Sequence, residues 1–283
     1  MRELTKNELT DLIDEAVAGD KKSLETVILS VQDLVFNLSL RMLGSFSDAE
    51  DATQDILLKI MTHLSSFKKD SLFSTWVFSI AANYLKNYKN HMFANCPLSF
   101  EYYGEDIKYG KVQDLADLTQ NIDKNILEEE LKMSCTNVML QCLDADSRCI
   151  FILGTMFRID SRIAGEILGM TPEAYRKKLS RIRKKMADFL EEYCGEYGSG
   201  KCICKNRINY AIQNHRLNPG QLDFTSATTL PVETMINVKR AMEEIDELAQ
   251  RFSFCKSYQT PESTRKFIQK FLNSEQFSAV KNS

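Results

Sequence analysis

Asp48, Glu50, Asp51, Gln54 and Asp55 crowd the opening of one helical pattern, and Lys68, Lys69, Phe73, Trp76, Asn83, Lys86, Asn87 and Lys89 follow directly downstream. Carboxylates at that density offer a docking face to a basic protein partner. Aromatics interleaved with amides and lysines hold unstacked bases by their faces and phosphates by their charge. Each half also has a plainer reading. Acidic side chains in a first turn favour the positive end of the helix dipole. Phe73, Trp76 and Ile80 recur at helical spacing, as core stripes do.

A second concentration of chemistry lies in residues 144–190, DADSRCIFILGTMFRIDSRIAGEILGMTPEAYRKKLSRIRKKMADFL. Ile163, Ala164, Ile167 and Leu168 make an apolar face, and Gly169 interrupts it. Thr171 and Pro172 then open the next helix as N-cap and first residue. This is a helix-turn-helix layout whose second helix is of the kind that enters a major groove. Between Thr171 and Leu190 stand seven basic residues, Arg176, Lys177, Lys178, Arg181, Arg183, Lys184 and Lys185, against two acidic ones. The window carries +5 on a chain of net −3, a localised footprint for phosphate. A solvated helix face is the plain alternative, and the position directly after the Gly169 break weighs against it.

A third cluster is sulfur. Cys194, Cys202 and Cys204 lie close together, with Gly195, Gly198 and Gly200 letting the chain fold back. Thiophilic metals take deprotonated sulfur ligands in a tight shell, commonly of four. His215 is the nearest fourth ligand and Cys255 a more remote one. The patch is read as a structural site for one Zn²⁺, with redox or metal sensing and unligated thiols as the alternatives. Cys135, Cys142 and Cys149 recur among apolar residues and are read as small core side chains. His63 and His91 have no ligand partners in view.

Helices must position all of these residues. Helical periodicity dominates, strand-type alternation is not evident, and only 11 Gly and 5 Pro occur in 283 residues. The expected fold is all-α, with two helical domains joined by a flexible linker and followed by a mostly helical extension. The boundaries are 1–93, a linker over 94–125 where clean periodicity is lost, 126–193, and 194–283. No uninterrupted apolar run approaches the ~18 residues of a membrane span. The opening MRELTKNELTDLIDE is acidic and lacks an apolar signal segment, so a cytoplasmic location with no membrane partner is expected. Cysteines in that compartment are mostly reduced.

Asp48-Ala49-Glu50-Asp51, Gln54-Asp55, Leu58, Phe67, Phe73-Ser74-Thr75-Trp76, Ile80-Ala81 and Asn83 together resemble region 2 of the bacterial sigma factors, specifically the extracytoplasmic-function (ECF) subfamily. Leu143, Arg148, Phe151, Ile163-Ala164, Ile167-Leu168-Gly169, Thr171, Leu179, Arg181 and Arg183 resemble region 4 of the same family, with departures at Asp144, Arg162 and Tyr175. The resemblance implies a non-enzymatic factor that binds core RNA polymerase, melts promoter DNA and directs transcription initiation without a required cofactor or small-molecule substrate. Asp48, Glu50, Asp51, Gln54 and Asp55 would dock on the polymerase clamp. Lys68, Lys69, Phe73, Trp76, Asn83, Lys86, Asn87 and Lys89 would capture the opened minus-ten strand. Thr171, Arg176, Lys177, Lys178 and Arg181 would read the minus-thirty-five duplex. It also admits an anti-sigma protein as a further partner. The alternative is a metal- or redox-responsive DNA-binding regulator on a sigma-like scaffold.

Overall fold

The structure, a computed structural model, describes residues 5–88, 98–110, 118–119, 121–200, 202–229, 256–274 and 277. The described residues are all-α, and the contacts divide the chain into two compact units. The first comprises residues 1–40, 45–88 and 258–283; the second comprises 41–44 and 89–257.

In the first unit, α1 (Lys6–Ala18) begins at a reciprocal cap. The Thr5 amide donates to Glu8 Oε2 at 2.8 Å and the Glu8 amide to Thr5 Oγ1 at 3.3 Å, satisfying two donors that a helix start leaves orphaned. Gly19 ends the helix in the left-handed region at φ 106°, where glycine carries no Cβ penalty. The next helix is α2 (Lys21–Leu43). By length and a mean hydropathy of 1.3 over its most apolar window it could cross a membrane, but 72% of that window is buried inside the protein. Val27, Ile28, Val35, Phe36, Leu38 and Leu40 are fully enclosed, so it is a core helix interrupted by polar residues on one side.

Phe36 of α2 meets Phe46 at the start of α3 (Phe46–His63), and α3 packs with a 3-10 turn at Leu64–Ser66 and with α4 (Phe73–Lys86), burying Ile56, Leu57, Ile60, Val77, Phe78 and Ala81. A helix from the far end of the chain completes the unit: α11 (Glu262–Leu272) packs on α3. Just before it, Tyr258 is fully buried and exchanges two hydrogen bonds of 2.8 Å with the Asn37 side chain. Asp33 accepts from the amide and hydroxyl of Thr260 at 2.8 and 2.7 Å.

The second unit holds α5 (Phe100–Tyr109), α6 (Lys124–Gln141), α7 (Ala145–Phe151), a π-helical turn at Ile152–Met156, α8 (Ser161–Leu168), α9 (Pro172–Tyr193) and α10 (Cys204–Gln213). The stretch expected to be a linker, 94–125, therefore contains a helix. It is anchored by aromatics, with Phe100 and Tyr103 at 5.2 and 5.6 Å from the Phe189 ring of α9. Asp106 of α5 is held by Tyr210 at 2.5 Å, Arg207 at 3.3 Å and Arg216 at 2.5 Å. Those charges hold its carboxyl below the usual range against the opposing effect of burial.

Residues 194–283 likewise do not form one extension. Leu127 of α6 buries Ile208, Ala211 and Leu217. The buried Glu130 carboxylate accepts from the amides of Asp223, Phe224 and Thr225 at 2.8 to 3.1 Å, fastening the turn after α10 onto α6. The apolar tail residues of the interval 232–252 lie outside the described residues.

Candidate nucleic-acid interface

Ser45 starts α3 by accepting from the Asp48 amide at 3.1 Å, which leaves the Asp48 carboxylate beside the positive helix end. Asp51 and Asp55, one turn apart, are exposed, whereas Asp48, Glu50 and Gln54 are half-buried. Asp55 is engaged within the unit, because Tyr84 of α4 donates its hydroxyl to Asp55 Oδ2 at 2.5 Å. Burial and then this carboxylate push the Tyr84 hydroxyl up, so it remains a donor at neutral pH. Tyr88, on the next turn, is pushed up by burial and by the charges of Asp48, Asp51 and Asp55. Glu50 is covered from another side, as it accepts from the hydroxyls of Ser263 and Thr264 at the start of α11.

On α4 the structure separates residues that the sequence groups. Phe67, Phe73 and Trp76 form one aromatic cluster with centroids 5.4 to 5.7 Å apart. Phe73 is only 5% exposed and its ring supports the cluster from the core side. Trp76 is half-exposed on top of it and continues outward through Ile80, Asn83 and Asn87, which recur on a single face. Asn83 and Asn87 are exposed, Lys86 is half-buried, and Lys89 lies outside the described residues.

In the preceding loop Lys68 is exposed. Lys69 adopts φ 63° and pairs with Asp14 at 2.5 Å, which ties the loop to α1. Leu72, 50% exposed at the N-cap of α4, is an apolar loop residue that the sequence reading missed. Only its flanking by Phe73 and Trp76 could have suggested it.

The helix-turn-helix forms as expected. Gly169 closes α8 at φ 66°, and the Met170 amide donates to the Gly165 carbonyl at 2.9 Å. A Cβ at Gly165 would stand 2.6 Å from the Met170 carbonyl oxygen, so this close return requires glycine. Thr171 Oγ1 accepts from the Ala174 amide at 3.2 Å, and Pro172 is the first residue of α9. Tyr175, Leu179, Ile182 and Met186 face the core, which leaves Arg176, Lys177, Lys178 and Arg181 exposed on the outer side.

Arg176 donates to Ser161 Oγ at 2.9 Å, and Lys177 pairs with Glu173 at 2.7 Å. Such an exposed pair is worth only ~0.3–0.5 kcal/mol and leaves the lysine free to exchange partners. Arg183 is different. It turns inward to Thr155 Oγ1 and the Gly154 carbonyl, both at 3.0 Å, and stabilises the π turn.

The cysteine patch folds back through backbone bonds, from the Gly195 amide to the Cys202 carbonyl at 2.9 Å and from the Cys202 amide to the Tyr193 carbonyl at 3.2 Å. A Cβ on Gly200 would come within 2.0 Å of the Tyr193 carbonyl carbon, so no other residue fits there. Cys194, Cys202 and Cys204 line one apolar cavity of about 40 Å³, and the fourth sulfur on its wall is Cys135 of α6. His215, proposed as fourth ligand from the sequence, is exposed and absent from that wall. Tyr103 donates its hydroxyl to Cys135 Sγ at 2.9 Å. Burial pushes the thiols of Cys135 and Cys204 up to about 12. Among the described residues, no three His, Cys, Asp or Glu side chains are grouped so as to hold a metal ion. The expected Zn²⁺ shell is therefore not preassembled.

Residues 27–91 match the family model for sigma-70 region 2. Over 85 residues the chain is 31% identical to the RNA polymerase sigma-H factor of Pseudomonas aeruginosa, covering 30% of this chain and 44% of that protein. Over 83 residues it is 36% identical to the ECF RNA polymerase sigma-E factor of Escherichia coli, covering 29% of this chain and 43% of that protein. The match thus spans less than half the length of these relatives. A solved structure of CnrH in complex with the cytosolic domain of CnrY shares 18% identity at a TM-score of 0.46, covering 63% of this chain and 94% of that chain. Residues 27–91, which join an acidic face on α3 to an aromatic and amide face on α4, are thus similar to sigma-70 region 2, and over about 30% of its length the chain is similar to the ECF sigma factors.

Proposed function

We propose that the chain acts in the cytoplasm as a sigma factor, binding core RNA polymerase and directing promoter recognition, strand opening and initiation. The observation that carries this reading is the Asp55–Tyr84 contact at 2.5 Å, which couples the acidic face of α3 to the helix that bears Trp76, Asn83 and Asn87. A protein partner on one side and an unpaired strand on the other then share one rigid element. Opening needs no bond-making by the chain. Stacking of a base on an aromatic contributes ~1–3 kcal/mol, comparable to the ~1.4 kcal/mol cost of one DNA stacking step. The exposed basic side of α9 would read the upstream duplex as region 4 does, with Arg176 and Arg181 reaching base edges or phosphates in the major groove.

Core-polymerase binding followed by promoter-specific run-off transcription tests the reading. Specific transcripts that require this chain are expected. A chain that binds duplex DNA but never polymerase would instead be a free-standing helix-turn-helix regulator.

The four cavity cysteines favour a secondary reading, a thiophilic ion such as Zn²⁺ held by Cys135, Cys194, Cys202 and Cys204 after rotation of their side chains. Elemental analysis of reduced protein purified without chelators is expected to find about one ion per chain. None found leaves the cavity as an apolar pocket lined by protonated thiols.

A further inference from the structure

One carboxylate of the acidic opening of α3, Glu50, already carries a helix of this same chain, while Asp51 and Asp55 stay exposed. Glu50, one of the carboxylates expected to meet a basic partner, accepts hydrogen bonds from Ser263 and Thr264, with the Thr264 hydroxyl at 3.4 Å. The contact continues along α11. Thr264, Ile268 and Leu272 recur every fourth residue and are buried, and Gln269 Nε2 reaches Glu25 Oε1 of α2 at 3.0 Å. The segment is anchored at its entry by Tyr258 and Thr260, as described above. The net charges are also of opposite sign, because α11 carries Arg265 and the exposed Lys266 and Lys270 against one acid, Glu262, and packs on a helix whose first turns are acidic.

We propose that α11 is an intramolecular occupant of the Glu50 side of the polymerase-docking face. It is a basic amphipathic helix that binds where the basic surface of core polymerase would bind, and it must leave α3 for the complex to form. The proposal rests on the sigma-factor reading. The anchor and the cover are separable in the chain. Tyr258 and Thr260 bond to the middle of α2, at Asn37 and Asp33, and Tyr258 packs on Phe46 at the start of α3, whereas among the described residues the contacts to Glu50 come from α11. The helix can therefore lift while its root stays attached. That geometry suits a reversible cover, because an attached helix returns at high effective concentration. A cover that leaves the face open about one-tenth of the time weakens the apparent affinity for polymerase about tenfold.

Hydrogen exchange read by mass spectrometry on the full chain, alone and with core polymerase, provides the test. Amides 262–272 are expected to lose protection by about tenfold or more on complex formation, while those of α3 gain it. Retained or increased protection of 262–272 in the complex overturns the proposal. Two full-length variants give a second readout. Thr264→Asp places a like charge against Glu50, and Ile268→Ala removes apolar contact from the same face. Each is expected to bind core polymerase up to about tenfold more tightly, with the helicity and unfolding transition of the remaining α1–α4 unit retained. Unchanged or weaker binding by both folded variants overturns the proposal and leaves the sigma-factor reading standing. Failure of the wild-type chain and both variants to bind polymerase at all sinks both.

Discussion

The two candidate DNA readers are built on opposite plans. In α9 the reading groups are cations on the outer side of a helix whose inner side is apolar, and Arg176, Lys178 and Arg181 stand exposed. In α4 the reading groups other than Lys86 are uncharged and grow out of the core. Phe73 is buried, Trp76 lies half-exposed against it at 5.7 Å, and Asn83 and Asn87 extend the same face outward. A duplex presents phosphates at fixed spacing, so exposed charge suffices to find it. An unpaired strand presents faces of bases, so its receptor needs rigid aromatic support beneath the exposed ring. The cost is that reading and stability share residues in α4, while in α9 they are nearly separable.

The sharpest way to break this comparison is at Phe73 and Trp76. Phe73→Ala is expected to destabilise the first unit by about 3–5 kcal/mol, as for a core aromatic, measured by denaturant unfolding. Trp76→Ala should cost less stability yet lower open-complex yield about tenfold or more in permanganate footprinting, corresponding to loss of ~1–3 kcal/mol of stacking. Equal stability losses with normal opening in the Trp76 variant would erase the division between support and reader.

The next largest contrast lies within α9. Arg183→Ala should destabilise the second unit by roughly 1.5–3 kcal/mol, because two buried acceptors lose a charged donor. Arg176→Ala or Lys178→Ala should leave stability within about 0.5 kcal/mol of wild type. Each is instead expected to weaken duplex binding and reduce the salt-dependence slope by ~0.9 per lost phosphate contact. Asp51→Lys, on the exposed acidic line of α3, is expected to weaken polymerase binding about tenfold with helicity unchanged by circular dichroism.

The smallest effect is at the joint between faces. Tyr84→Phe removes one hydrogen bond and should cost about 1 kcal/mol at neutral pH. Because folding raises the Tyr84 pKa above its ordinary 10.0, the stability this group provides is complete below that value and is lost as pH rises beyond it. The variant should therefore show a shallower alkaline loss than wild type in unfolding measurements above pH 10.

Much of this molecule is written locally. The Gly169 turn, the Thr171 cap, the Pro172 start and the basic run after it need only near neighbours in the chain, so the helix-turn-helix and its exposed charges are legible directly. The acidic opening of α3 is local in the same sense. Three features depended on partners far away in sequence. Phe73 and Trp76 are both aromatic and both touch Phe67, and only the enclosure of Phe73 within the packed unit decides which ring is buried. Cys135 looks like any small apolar residue of α6 until α10 and the Gly200 turn bring Cys194, Cys202 and Cys204 to the same cavity, while His215 stays outside. The cover on Glu50 joins residues 213 positions apart. The helical periodicity of α11 announces an apolar face, but which acceptors that face meets is set by the surfaces left over after α2, α3 and α4 have packed. Local chemistry determined the elements and their charges. Long-range burial decided which side chains remained available to act.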